Sequence, residues 1–365
     1  MPEVFDRLRR VAVDDILAAW IGGVGVLPTV SVPIAEARGA VAAEPVVAPR
    51  PMPATAIALV DGRGVIAAET FGASPYAPAD VSQSLAVRAG DPVRLPFDAV
   101  AVADDVTATA AEVAVAPGTN LRRAGEDALA GSLLVDAGER LGARAVAMLA
   151  DAGVDVIAVR RPRIRVVASP NAAAQPAIDL LESLLGCCGA RLHLVQPDAM
   201  AEIGLAAVDL VLLVGGLAIG EADAAFQAAT RSPGWRPIGR PALRPGETVV
   251  AGWLGGTPAL IVPSRLDDVL ATALALACPL LDWLAAARPV PAAKTLPLTG
   301  KLVSAIGMSE LALVAETGDG GGFDPLAVGS LGARALIRAT HWGLIGPESE
   351  GSSADSRFAA WPLPT

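Results

Sequence analysis

V-D-L-V-L-L-V-G-G-L-A-I-G-E-A-D, from Val208 to Asp223, is the stretch that decides the fold. Leu210 to Val214 is an uninterrupted apolar run. A run that short, closed by glycines, reads as a strand buried on both faces, as in a parallel sheet. Gly215 and Gly216 end it and allow a sharp turn and close backbone approach to a ligand. Gly220 gives a second turn, and Glu221, Asp223 and the alanines after them read as a helix start. Acids at a helix N-terminus are favourable in their own right, so the same letters also fit a plain strand-turn-helix joint. In open α/β sheets, ligands sit beyond the carboxyl ends of the strands, which makes this loop the first place to expect a site.

Working outward, the flanking segments repeat the strand-helix pattern. Ile164 to Ser169 and Arg191 to Val195 read as strands. Pro176 to Leu185, the segment running to Ala229, and the long apolar Val269 to Ala287 read as helices. Alternation of this kind predicts a doubly wound parallel sheet. Earlier, Val13 to Ile21 and Ala143 to Gly153 carry helical spacing, and Val154 to Val159 reads as a strand. Ala67 to Pro117 breaks into short Val/Ala runs separated by Pro, Gly and Asp, the mark of an all-β segment. Past a Pro/Ala linker at Arg288 to Lys294, the segments Leu311 to Glu316, Ala335 to Ile337 and Gly343 to Ile345 read as strands of a small β domain.

Composition excludes several classes. The 365 residues are 53% apolar, too many for bulk disorder and enough for more than one domain. A net charge of -10 gives no general attraction to nucleic acid or anionic membrane, so neither is an expected partner. Met1 to Arg10 lacks the apolar core of a signal peptide, and Val269 to Leu281 is too short for a membrane span. Cys187, Cys188 and Cys278 make neither a disulfide framework nor a zinc spacing, which fits a reduced, cytoplasmic compartment. His193 and His341 are the only histidines, little material for a His-based metal site or a Ser-His-Asp triad.

The motifs resemble those of the molybdopterin molybdotransferase family, the MoeA and gephyrin E-domain group. Gly118 to Gly131, G-T-N-L-R-R-A-G-E-D-A-L-A-G, is similar to that family's "G-N-R--GED---G". Pro49 to Val65 lies on its "PR-LPPFDNSAMDGYAV", with Asp61 and Gly62 on the "DG". Asp-Gly is also a common turn between strands. Val208 to Asp223 resembles its glycine-rich site loop, and Ala259 to Leu266 its "GLPGNP" loop, with Pro263 kept. Arg244 to Gly246 resembles its "KPGKP" turn, with Glu247 where a base is usual.

Other motifs depart from the family pattern. Ala56, Ile57 and Ala58 stand on "DNS", and the Thr-Gly-Ala-Pro loop is absent from Gly90 to Val102. Asn171 and Ala172 replace an Asp-Glu pair, and Ser264-Arg265-Leu266 replace Gly-Asn-Pro.

The resemblance implies a MoeA-like α/β multidomain fold. Its expected parts are a discontinuous helical domain (1–46 plus 131–162), an inserted β domain (47–130), a MogA-like doubly wound domain (163–287) that binds molybdopterin, and a C-terminal β-barrel-like domain (288–365). It implies a homodimer, with a molybdoenzyme client as a further candidate partner. Molybdopterin or the finished molybdenum cofactor is the implied ligand, with Mg2+ as a candidate ion and Asp223 as a candidate metal ligand. Asp61 and Asp223 take the catalytic positions. Gly215, Gly216, Gly220, Glu221, Arg122, Glu126, Asp127, Asp198 and Pro263 take the cofactor-binding ones.

Bare physics offers other readings for two of these. Arg122 and Arg123 can simply pair with Glu126 and Asp127 across a turn. Asp198 fits a plain helix N-cap. The count of lost site groups favours a protein that binds the cofactor with molybdate insertion impaired or lost. The alternative is an active molybdotransferase acting on adenylylated molybdopterin.

Overall fold

The computed structural model describes residues 8–168, 174–195, 208–215, 224–289 and 293–364. Its centre is a sheet of seven strands: β1 (Arg10–Val11), β2 (Arg163–Ala168), β3 (Arg191–Val195), β4 (Leu210–Gly215), β5 (Trp235–Pro241), β6 (Val250–Leu254) and β7 (Thr257–Pro263). The spatial order is β1-β5-β6-β7-β4-β2-β3. β7, β4, β2 and β3 are parallel neighbours, the expected doubly wound core. Only β6 runs against the others, pairing antiparallel with both β5 and β7. β6 and β7 are joined by Gly255-Gly256, a two-residue connection that suits a hairpin and no crossover helix.

The apolar run of β4 is buried on both faces, and the pleat explains why. Leu210, Leu212 and Val214 point into one core with Ile164, Val166, Leu260 and the helix Gln175–Cys187. Val211 and Leu213 point into the other, against Val167, Ile261 and the helix Ala224–Arg231. Each such side chain contributes roughly 1.5–3 kcal/mol of burial, so no register slip by one residue relieves either face.

The N-terminal helix Val13–Gly23 docks on this same core through Ile16 and Trp20. The Trp20 indole N–H donates to the carbonyl of Gly252 at 3.0 Å. Residues 10–23 thus pack with the large sheet, although they fall within the 1–46 segment expected to form part of the helical domain.

The segment Val269 to Ala287, read as one apolar helix, is interrupted. It comprises a helix at Leu266–Thr272, a π-helical turn at Ala273–Ala277 and a second helix at Cys278–Leu284. Pro279 has no N–H and its ring crowds the carbonyl four residues back, so the hydrogen-bond ladder widens before it.

A second core joins residues from both sides of the inserted β segment. Ile34, Ala37 and Ala42 meet Leu141, Leu149, Ile157 and Val159. Between them, Gly62–Val65 is flanked by Leu85–Val87 and Ala99–Val102 in a three-stranded antiparallel sheet. The C-terminal part is a β structure around Ser309–Glu316, His341–Ile345 and Arg357–Pro362. Ala335 to Ile337, read as a strand, lies instead in the helix Ala333–Arg338. Six residues of this composition carry no period that separates the two states. No helix among the described residues is long and apolar enough to cross a membrane.

Candidate functional site

The carboxyl ends of the parallel strands converge on one edge. Gly215, the last residue of β4, is in register with Pro263, the last of β7. The Ser264 N–H donates to the Gly215 carbonyl at 2.7 Å, which fixes the turn after β7 against the end of β4. The loop 242–249 leaves β5 at this same edge, because β5 runs parallel with β7.

Two linked charge clusters line this edge. The Arg265 guanidinium forks onto Asp267, with Nε to Oδ1 at 3.2 Å and Nη2 to Oδ2 at 2.6 Å, and Nε lies 3.6 Å from Asp268 Oδ2. Asp267 and Asp268 are both buried in the first turn of the helix Leu266–Thr272. Burial pushes the Asp268 carboxyl up to about 6; Asp267 and Glu247 nearby push the same way, while Arg265 and a backbone hydrogen bond at Gly246 oppose them.

The second cluster centres on Arg244, whose Nε donates to Glu247 at 2.9 Å and whose Nη1 donates to Glu310 at 3.0 Å. Glu310, with only 3% of its surface exposed, also accepts the Ala305 N–H at 3.0 Å. Gly329 closes over this pair. It sits at φ +65, and a Cβ there would lie 2.7 Å from Glu310 Oε1. The site needs glycine at that position for both reasons.

Comparison with known proteins agrees with this architecture. Residues 11–153 match the family model described as the MoeA N-terminal region, domains I and II. The molybdopterin biosynthesis MoeA protein of Pyrococcus horikoshii superposes with a TM-score of 0.60 over 97% of this chain and 99% of its own, at 21% identity. A molybdopterin biosynthesis MoeA protein of Pyrococcus horikoshii OT3 gives 0.62 at 19% identity, over 96% of this chain and 99% of its own. A molybdenum cofactor biosynthesis protein of Pyrococcus furiosus gives 0.57 at 15% identity, over 96% and 99%. Residues 11–153 thus match the MoeA N-terminal region, and the chain as a whole has the MoeA fold. No curated protein is significantly similar to it.

Within the MoeA-like fold, the sequence candidates fall into separate places. Gly215 and Pro263 meet at the carboxyl edge. Gly216, Gly220, Glu221, Asp223 and Asp198 lie outside the described residues, as do Asn171 and Ala172. Asp61 precedes the strand Gly62–Val65, and its Oδ1 accepts the Ala89 N–H at 2.8 Å. Asp61-Gly62 is therefore not a hairpin turn. Gly62 runs between two neighbouring strands, and a Cβ there would lie 2.0 Å from the Ala101 carbonyl oxygen.

Arg122 pairs with Asp127 at 3.5 Å, and Glu126 accepts the Arg123 N–H at 2.8 Å, all within one exposed turn. No hydrogen bond or ion pair among the described residues joins Asp61 or this turn to the carboxyl edge. Nor do three or more His, Cys, Asp or Glu among the described residues gather in an arrangement able to hold a metal ion.

Sequence reasoning missed Asp267, Asp268 and Glu310. The signals were present: R-L-D-D directly after a buried strand, and one acid in the otherwise apolar S-E-L-A-L-V. Acids at a helix start read as solvated by default, and their burial depends on packing that the local sequence does not show.

Proposed function

We propose that this MoeA-like chain takes part in molybdenum cofactor biosynthesis by binding molybdopterin or the finished cofactor at the carboxyl edge of its large sheet, with molybdate insertion impaired or lost. The observation that carries this reading is the state of the acids at that edge. Asp267 and Asp268 are held by Arg265, and Glu247 and Glu310 by Arg244. Carboxylate oxygens already engaged by a guanidinium are poorer ligands for a hard divalent cation, which wants several anionic oxygens free to coordinate it. Arg265 stands in the turn where the family pattern has a small, neutral Gly-Asn-Pro. The sequence keeps Gly215, Gly216 and Gly220, which carry no Cβ to oppose a backbone approach to a phosphate. We further propose that the active unit is a homodimer.

The test is AMP release from adenylylated molybdopterin after addition of molybdate and magnesium, with an active MoeA protein run in parallel. The expected result is retention of a molybdopterin species with AMP release at background. Release at a rate comparable to the active protein overturns the loss of insertion and restores the molybdotransferase reading. Gly216→Val should abolish molybdopterin retention while leaving the far-UV circular dichroism unchanged. Retention unaltered by that change would remove the glycine stretch from the site. Light scattering at micromolar concentration checks the dimer, and a monomer mass refutes it.

A further inference from the structure

The opposite end of the large sheet holds a different kind of charge. Arg163 and Arg191 are the first residues of β2 and β3 and stand directly in register on these adjacent parallel strands. Arg161 lies two residues before Arg163. These three arginines, with Asp209, line one wall of a cavity of about 340 Å³. Leu27, Pro28, Val30 and Val32 line the other wall.

Like charges in register on neighbouring strands repel, so their placement needs an offset. Two carboxylates supply part of it. Asp209 accepts the Arg163 backbone N–H at 2.7 Å and lies 3.4 Å from its Nε. Glu36 accepts from Arg191 Nη2 at 2.7 Å. Arg161 has no carboxylate partner among the described residues. Its Nη2 donates to the backbone carbonyls of Glu36 and Arg38, and its Nε is buried with no hydrogen-bond partner. Desolvation, followed by the nearby Arg191 charge, holds the Arg161 guanidinium below its ordinary value. A buried donor left unmet costs about 1–3 kcal/mol, more when it belongs to a charged group. The chain as a whole carries a net charge of -10, so a knot of arginines is not a consequence of composition.

From this juxtaposition of an unmet Arg161 donor, the in-register pair Arg163 and Arg191, and an apolar facing wall, we infer that the cavity is a binding site for a phosphoryl anion, either free or carried on a nucleotide. A phosphate group offers the oxygens that planar guanidinium forks recognise, and its negative charge removes the repulsion between the arginines. The wall of Leu27, Pro28, Val30 and Val32 gives a carried base or sugar an apolar surface to cover. The site lies at the amino ends of the strands, away from the carboxyl edge, and does not depend on the function proposed above.

The experiment is isothermal titration of the full chain with inorganic phosphate and, separately, with AMP, at low salt. The expected result is saturable one-to-one binding of at least one of them, with Kd below about 1 mM. Arg191→Gln should weaken it by roughly tenfold, the effect of removing one charge-assisted contact. Glu36→Gln should tighten it, because it frees Arg191 from its competing carboxylate. Arg191 and Glu36 are half-exposed and bind chiefly each other, so both variants should fold, which their far-UV spectra would verify. AMP binding tighter than phosphate assigns the apolar wall to the nucleoside, and equal binding assigns the site to the oxyanion alone. Either pattern supports the inference if both variants shift it as stated. No saturable binding to the parent or to Glu36→Gln overturns it. So does binding that neither variant changes, since the anion then sits elsewhere, such as at the carboxyl edge.

Discussion

The two ends of one sheet handle charge in opposite ways. At the carboxyl edge, each acid is matched by an arginine: buried Asp267 and Asp268 by Arg265, buried Glu310 and the partly exposed Glu247 by Arg244. At the amino end, Arg161, Arg163 and Arg191 gather on the surface with only Asp209 and Glu36 to balance them. The first arrangement is closed on itself and holds the C-terminal β structure to the sheet. The second is open and incomplete. A matched, buried cluster should matter for stability, and an unmatched, exposed one for binding.

The largest effect should come from breaking the matched end at its most buried member. Glu310→Ala removes the acid that joins Arg244 and the Ala305 N–H. Arg244 keeps Glu247 and stays partly solvated, so the loss should be about 2–4 kcal/mol, below the upper range for buried pairs. The check is a thermal melt at neutral pH, with a clear drop in Tm. A midpoint within a degree of the parent would show that the cluster does not tie the two parts together.

A smaller effect should appear with pH. The folded value of Asp268, about 6, lies above the ordinary carboxylate range because the group is buried. The folded state therefore holds this proton more tightly than the unfolded chain does. The resulting stabilisation is complete below the unfolded value near 4 and is lost as pH rises through about 6. The parent should melt higher at about pH 5 than at about pH 7.5 for this reason. Asp282 contributes in the same direction, its carboxyl raised by burial against the pull of Arg140. Asp268→Asn should shrink the difference between the two conditions without abolishing it. An unchanged difference would mean that Asp268 is ionised throughout.

These contrasts show what a sequence discloses. The parallel core was legible because burial on both faces leaves a pattern: five apolar residues between polar and glycine boundaries have few other uses. β4 and β3 match the stretches read as strands. The antiparallel β6 was not legible, because nothing in V-A-G-W-L distinguishes a hairpin arm from a parallel strand. Of the candidate site, Gly215 and Pro263 were named by motif, and the two strand ends stand in register. Asp267, Asp268 and Glu310 were not, since local sequence favours solvated acids and only distant packing buries them. The arginines at the amino end were passed over for the same reason: Arg163 and Arg191 become neighbours only when β2 and β3 pair.

The smallest effect on stability should come from the open end. Arg191→Gln removes one ion pair with Glu36, in which both side chains are half exposed. Such pairs contribute between about 0 and 1 kcal/mol. The substitution also removes one of the guanidinium charges crowding Arg161, which acts in the opposite direction. The two should nearly cancel, leaving Tm within about a degree of the parent in phosphate-free buffer. Added phosphate changes the comparison, because a ligand that binds only the folded state raises the midpoint by mass action. The parent should therefore gain Tm with phosphate concentration, Glu36→Gln should gain more, and Arg191→Gln should gain least. Sodium chloride at matched ionic strength separates binding from screening, since screening would act on all three proteins alike. If the three rise together with phosphate, the amino end is a solvated surface like any other and the contrast between the two ends is one of burial alone.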